Sequence, residues 1–88
     1  MDYTIEWSPE ALDDIESIAE YISRDSEFYA RTVVTGIIAL ARRLNEFPFL
    51  GRVVPERKDK NIRERFAYSY RVVYQIEQKR ILIVASVC

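Results

Sequence analysis

The chain has no histidine, and its one cysteine is its last residue, Cys88. Without imidazole and with a single thiol it can form neither an internal disulfide nor a His/Cys zinc site, and Ser-His or Cys-His nucleophilic chemistry is excluded. No metal and no cofactor are expected. No apolar run approaches the roughly 20 residues needed to cross a bilayer, so no membrane partner is expected. The amino terminus carries Asp2 and lacks a basic stretch, unlike a secretory signal, which makes the expected location cytoplasmic. Internal repeats, linkers and low-complexity tracts are also missing, and 88 residues support one domain, 1-88, with a thin core.

Net charge is scarce as well, at −1, but it is unevenly distributed. Residues 1–51 hold 10 acids and 4 bases, a balance of −6, whereas residues 52–88 hold 4 acids and 9 bases, a balance of +5. The second half therefore has the electrostatics of a surface for an anionic partner. With 49% apolar and 31% charged residues the composition is that of an ordinary globular protein.

Tyr3, Ile5 and Trp7 alternate with Thr4 and Glu6, the period of a short strand with one apolar face. Ser8 before Pro9 signals a helix start, because the serine oxygen can accept an orphan backbone N–H while proline at the first position loses nothing. A helix from Pro9 to about Ser23 follows, with Leu12, Ile15, Ile18, Ala19 and Ile22 as its core stripe. Glu10, Asp13, Asp14 and Glu16 suit the positive end of its dipole. They read as a solvated face, with a docking surface for a basic partner as the alternative.

Ser26 can cap a second helix running to about Glu46, with Val33, Ile37, Leu40, Ala41 and Leu44 facing the core. Gly36 costs this helix roughly 1 kcal/mol relative to alanine, which suggests that it permits a close helix approach. Phe47-Pro48 stops the helix. Residues 49–56 cross toward the sheet, and Arg57-Lys58-Asp59-Lys60-Asn61 reads as an exposed loop.

Ile62 to Ile76 carries the aromatic and β-branched content of a hairpin closed near Ala67-Tyr68-Ser69. After a turn near Gln78-Lys79, Arg80 to Val87 is an almost unbroken aliphatic run, expected to be buried on both faces. The order is β-α-α-β-β-β, an α+β fold with a helical hairpin packed on one face of a mostly antiparallel sheet.

The chain carries Trp-Ser-Pro-Glu-Ala at 7–11, Phe47-Pro48 with Gly51-Arg52 and Pro55-Glu56, Ile62-Arg63-Glu64, and Tyr70-Arg71-Val72-Val73-Tyr74. With this ordered set it resembles the RelE/ParE superfamily of bacterial toxins from type II toxin–antitoxin pairs, also labelled plasmid stabilisation proteins. The resemblance implies the same strand-helix-helix-three-strand fold. It also implies one of two activities: RelE-like members cut messenger RNA on the ribosome, and ParE-like members poison DNA gyrase by binding.

Arg71 matches the arginine of the RelE-like Tyr-Arg motif and is the catalytic candidate if the chain is RelE-like. The lysines that such enzymes carry on the preceding strand correspond here to Ile62 and Glu64, and a further RelE-like arginine and tyrosine fall beyond Cys88. The resemblance therefore favours the ParE-like branch: a gyrase-binding toxin neutralised by a cognate antitoxin. A RelE-like endonuclease acting on ribosome and mRNA is one alternative, and a non-toxic antitoxin-binding module is another. The expected partner- or anion-binding set is Arg52, Arg57, Lys58, Arg63, Arg65 and Arg71.

Hairpin register decides what Arg71 does. With the turn centred on Tyr68, Arg65 lies opposite Arg71 and Arg63 opposite Val73, so three arginines share one face as an anion site. With the centre between Ala67 and Tyr68, Glu64 faces Arg71 in an ordinary ion pair, and Arg63 and Arg65 turn toward the helices. Tyr70, Val72, Tyr74 and Ile76 read as core residues in either case.

Overall fold

The computed structural model describes residues 2–87, so Cys88, expected to carry a free thiol, lies outside the described residues. Strand β1 (Thr4–Trp7) leads into helix α1 (Pro9–Ser23) and helix α2 (Glu27–Arg43). The strands β2 (Arg52–Val53), β3 (Ile62–Ala67), β4 (Tyr70–Glu77) and β5 (Arg80–Val87) complete the chain. Both helix starts follow the local rule. Ser8 is extended and its Oγ accepts the Ala11 N–H at 3.0 Å, while Ser26 Oγ accepts the Tyr29 N–H at 3.0 Å. Helix α2 ends at Arg43, short of Glu46, because the N–H groups of Leu44, Asn45 and Glu46 bond three residues back and tighten the chain before Phe47-Pro48.

The sheet order is β1-β5-β4-β3-β2. Strands β1 and β5 run parallel, and the remaining pairs are antiparallel. Arg52–Val53 adds a two-residue edge strand that the sequence pattern does not announce. The helical hairpin covers one sheet face, and the core lies between: Ala11, Ile18 and Ile22 of α1, Val33, Ile37 and Ala41 of α2, then Val72, Tyr74, Ile76, Ile81 and Ile83. Ala11 takes the inward position at the start of α1, so Leu12, expected in the core stripe, is 54% exposed.

Strand β5 is not buried on both faces. Ile81 and Ile83 are enclosed beneath the helices, while Leu82, Val84 and Ala85 are half-buried on or beside the open face. The pairing passes from Val73↔Ala85 to Tyr74↔Ile83, which leaves Val84 as the extra residue of a β-bulge. Beyond Trp7 the chain departs into α1, so the outer edge of β5 loses its strand neighbour. Asp14 covers that edge, its Oδ2 accepting the Ser86 N–H at 3.0 Å. Asp14 thus belongs to the packing of α1 on β5 rather than to a solvated acidic face.

Candidate functional site on the open sheet face

The hairpin adopts neither expected register. Ala67 pairs with Tyr70, and the turn is centred between Tyr68 and Ser69. Two residues suffice to close it because Tyr68 takes a left-handed φ of 58°, a conformation normally left to glycine or asparagine. Packing compensates for the strain. The Tyr68 ring meets Tyr29 edge-on at 6.3 Å between centroids and lies over Gly36, where an added Cβ would come 2.7 Å from Tyr68 Cε2. Gly36 therefore makes room for this ring and not for a second helix.

In this register Glu64 faces Val73, Arg65 faces Val72 and Arg63 faces Tyr74. The six predicted arginine and lysine positions consequently do not form one cluster. On the open face, the Glu64 carboxylate is fully buried and receives Arg52 Nε on Oε2 at 2.6 Å and Arg71 Nη1 on Oε1 at 2.9 Å. Glu56 Oε2 lies 3.9 Å from Arg71 Nη1. The Glu64–Arg71 pair of the second register thus forms, but along the diagonal between the strands. The three-arginine face of the first register does not form.

Arg63 and Arg65 turn to the helix side. Arg63 donates to Lys60 O at 2.8 Å and Gly51 O at 2.9 Å, and its guanidinium sits 4.8 Å from the Phe49 ring centroid. Arg65 donates to Leu50 O at 3.3 Å. Arg57 joins Arg71 at the rim of a groove of about 500 Å³, whose apolar floor includes Val54, Ile62, Val73 and Val84. Lys58 stands apart in the exposed loop, with a left-handed φ of 51°.

A hydrogen-bonded anchor fixes the approach to this cluster. Tyr74 is fully buried; its hydroxyl accepts the Gly51 N–H at 2.9 Å and donates to Pro48 O at 2.8 Å. Burial pushes its pKa upward, opposed by the Gly51 hydrogen bond and by the nearby Arg63 and Arg65 charges. Gly51 admits no side chain, since a Cβ there would lie 2.5 Å from Glu64 O. The Phe47-Pro48 to Gly51-Arg52 segment is thereby held against β3, which delivers Arg52 to Glu64.

Sequence reasoning gave Glu64 only as the ion-pair partner of Arg71 in one of two registers, without the Arg52 contact or the burial, and assigned Glu56 and Tyr74 no role at this site. The available signal was the alternation Arg63-Glu64-Arg65, which places Glu64 on the face opposite to both neighbours. Chemically, two guanidiniums sharing a buried carboxylate, with a second carboxylate nearby, form a nearly charge-balanced brace across β2, β3 and β4. Among the described residues, groups of His, Cys, Asp or Glu able to hold a metal are absent, and no helix is long and apolar enough to cross a membrane.

A helical hairpin on one face of a mixed five-stranded sheet, with an arginine and carboxylate cluster on the other, defines a small α+β toxin domain of the RelE/ParE superfamily. The chain belongs to the family described as ParE toxin of type II toxin-antitoxin system, parDE, whose family model matches residues 5–87. That family implies an antitoxin partner. No curated protein matches in sequence.

Solved structures match over almost the full chain. The chromosomal ParDE toxin–antitoxin system of P. aeruginosa matches with a TM-score of 0.78 at 17% identity, covering 97% of this chain and 94% of that one. The YoeB dimer from Staphylococcus aureus gives 0.68 at 17% identity, covering 100% and 98%. The YoeB/ParE toxin from Agrobacterium tumefaciens gives 0.67 at 21% identity, covering 96% and 95%. Identities this low establish the fold.

Proposed function

We propose that this toxin acts by binding, with DNA gyrase as its target, and that its antitoxin neutralises it by occupying the surface the target needs. The observation that carries this reading is the state of Arg71. Its guanidinium is committed to the buried Glu64 carboxylate and lies beside Glu56. Cleavage of RNA needs positive charge free to stabilise the phosphate and a group able to take the 2′-hydroxyl proton. Arginine cannot supply the base, and an arginine already paired with carboxylates offers little field to a phosphate.

The open-face groove is instead built for contact. Its floor is aliphatic, and its rim presents Arg57 and Arg71. In this reading Arg52, Arg57 and Arg71 frame the recognition surface, while Arg63 and Arg65 brace the loop from Phe47 to Gly51. Lys58 contributes only a solvated charge.

Expression in a bacterial host without antitoxin should cause filamentation and a DNA-damage response, and the purified chain should inhibit gyrase supercoiling. Normal growth with intact, folded protein removes the toxin reading. Ribosome-dependent cleavage of messenger RNA in a translating extract, lost in Arg71→Ala, would replace it with the nuclease reading.

A further inference from the structure

Helix α2 carries two stripes. Ala30, Val33, Ile37 and Ala41 are buried against the core. On the opposite side Phe28, Thr32, Thr35, Ala39 and Arg42 recur at alternating spacings of four and three, the period of a seam between two helices. Phe28 is 77% exposed, more than any other large hydrophobic residue among those described, and Thr35, Ala39 and Arg42 are exposed with it. Thr32 Oγ1 donates to Phe28 O at 3.0 Å, so covering this hydroxyl leaves it with its partner. A cavity of about 420 Å³ runs beside the stripe, lined by Phe28, Thr35 and Ala39 and walled by the Tyr68 ring.

Reversed on itself, the stripe is complementary. Positions 28 and 39 share a midpoint with 32 and 35. Two copies of α2 laid antiparallel about a two-fold axis at that midpoint therefore place the Phe28 ring of each on Ala39 of the other, and Thr32 on Thr35. Large meets small on both sides of the axis. The same axis sets Asp25, just ahead of α2, opposite Arg42 in its last turn. Both are exposed, and among the described residues neither has an ion-pair partner in its own chain. Arg31 flanks the seam and meets Ile38 of the second copy instead of another cation. Antiparallel helix dipoles favour the same arrangement.

We infer that the outer face of α2 is a self-association surface, on which two copies of this chain close a two-fold dimer through Phe28, Ala39 and the Asp25–Arg42 pair. A second copy is the occupant because one rotation of the chain onto itself matches bulk to hollow and acid to base, a coincidence that an unrelated partner does not require. Since α2 lies on the helical side of the sheet, the dimer leaves the open-face groove accessible on both copies. Two recognition surfaces are thereby carried in one particle.

The test is sedimentation equilibrium of the full chain over a concentration series, in reducing buffer so that Cys88 cannot link chains. The apparent mass should rise from one chain to two and level there. Phe28→Asp should move the midpoint to at least about tenfold higher concentration. Its circular-dichroism melt should match that of the parent chain, because the ring is exposed. Asp25→Arg and Arg42→Asp should each weaken assembly, and the chain carrying both should recover it, since the antiparallel register restores the pair with its signs exchanged. A parallel pairing gives no such recovery.

The inference is overturned if the chain stays monomeric at every concentration, if its mass grows beyond two chains, or if Phe28→Asp assembles as the parent does. Failure of the doubly exchanged chain to recover overturns the register and with it the assignment of this face. These outcomes are read from mass alone and are independent of the toxin reading, which is scored on the growth of cells expressing the unaltered chain.

Discussion

Glu64 sets the energetics of the open face. Its carboxylate is fully buried, and each of its partners satisfies one oxygen, so removing either arginine leaves a buried oxygen unpaired. The two losses are unequal. Arg71 is 33% exposed and Arg52 68%, so water can replace Arg52 more readily. Arg71→Ala should cost about 2 kcal/mol and Arg52→Ala about 1 kcal/mol in urea unfolding, with the double variant losing more than the sum. Equal, additive losses would mean that the carboxylate is solvated.

Tyr74 gives the same residue-scale argument a pH dependence. Burial raises its pKa above the usual value of 10.0, so the folded state favours the neutral phenol. A group with a raised folded pKa stabilises fully below its unfolded pKa, and that stabilisation is lost as pH rises through the folded value. Tyr74→Phe should therefore lower stability at neutral pH by about 1–2 kcal/mol, since the Gly51 N–H loses its acceptor. It should also flatten the decline above about pH 10. Melting both proteins at neutral and alkaline pH checks the two effects together.

At the scale of elements, the hairpin turn and α2 are one unit. Tyr68 accepts a left-handed backbone because its ring packs on the glycine gap of α2, and Gly36 stays glycine at a helical cost of roughly 1 kcal/mol because the ring occupies that space. A double-mutant cycle separates the two terms. Gly36→Ala alone should give little or no gain, because the new Cβ must displace the ring. In a Tyr68→Gly background the same change should stabilise by about 1 kcal/mol in thermal or urea melts. Full gain in the parent chain would show that the ring moves aside without cost.

The turn also marks where pattern reading stopped short. Ala67, Tyr68 and Ser69 include no Gly or Asn to flag positive φ, so two other registers suited the strand pattern equally well. The helices were different. Ser8-Pro9 and Ser26 signalled both starts, and the three-and-four spacing of their aliphatics located most of the buried face, with Leu12 displaced by Ala11.

Over the whole molecule, the first and last strands are tied together. Thr4–Trp7 pairs in parallel with Arg80–Ile83, and Tyr3, Ile5 and Trp7 pack against the core. Deleting residues 1–7 would strip β5 of its outer neighbour, leave it at the sheet edge and expose its apolar contacts. The deletion should abolish cooperative thermal unfolding by circular dichroism. A sharp transition in the shortened chain would mean that β1 is peripheral to stability. The same pairing shows why an overall charge near zero is a poor guide to the surface. Folding sets the acidic first half across the helices and one edge, and distributes the arginines of the second half over both sheet faces.

The sequence by itself determined the helix starts, most of the helical apolar faces, the order of elements apart from the short strand β2, and the resemblance to the RelE/ParE superfamily, because each of these is written in spacings of a few residues. Only the tertiary structure decided the hairpin register, the pairing of Glu64 with Arg52 and Arg71, and the separation of Arg63 and Arg65 from that pair. The physical reason is that register depends on a ring from the turn fitting a gap in a distant helix. A shift of one residue in a strand sends every side chain to the opposite face. The arginines were legible as residues; which of them share a surface was settled by Tyr68 on Gly36.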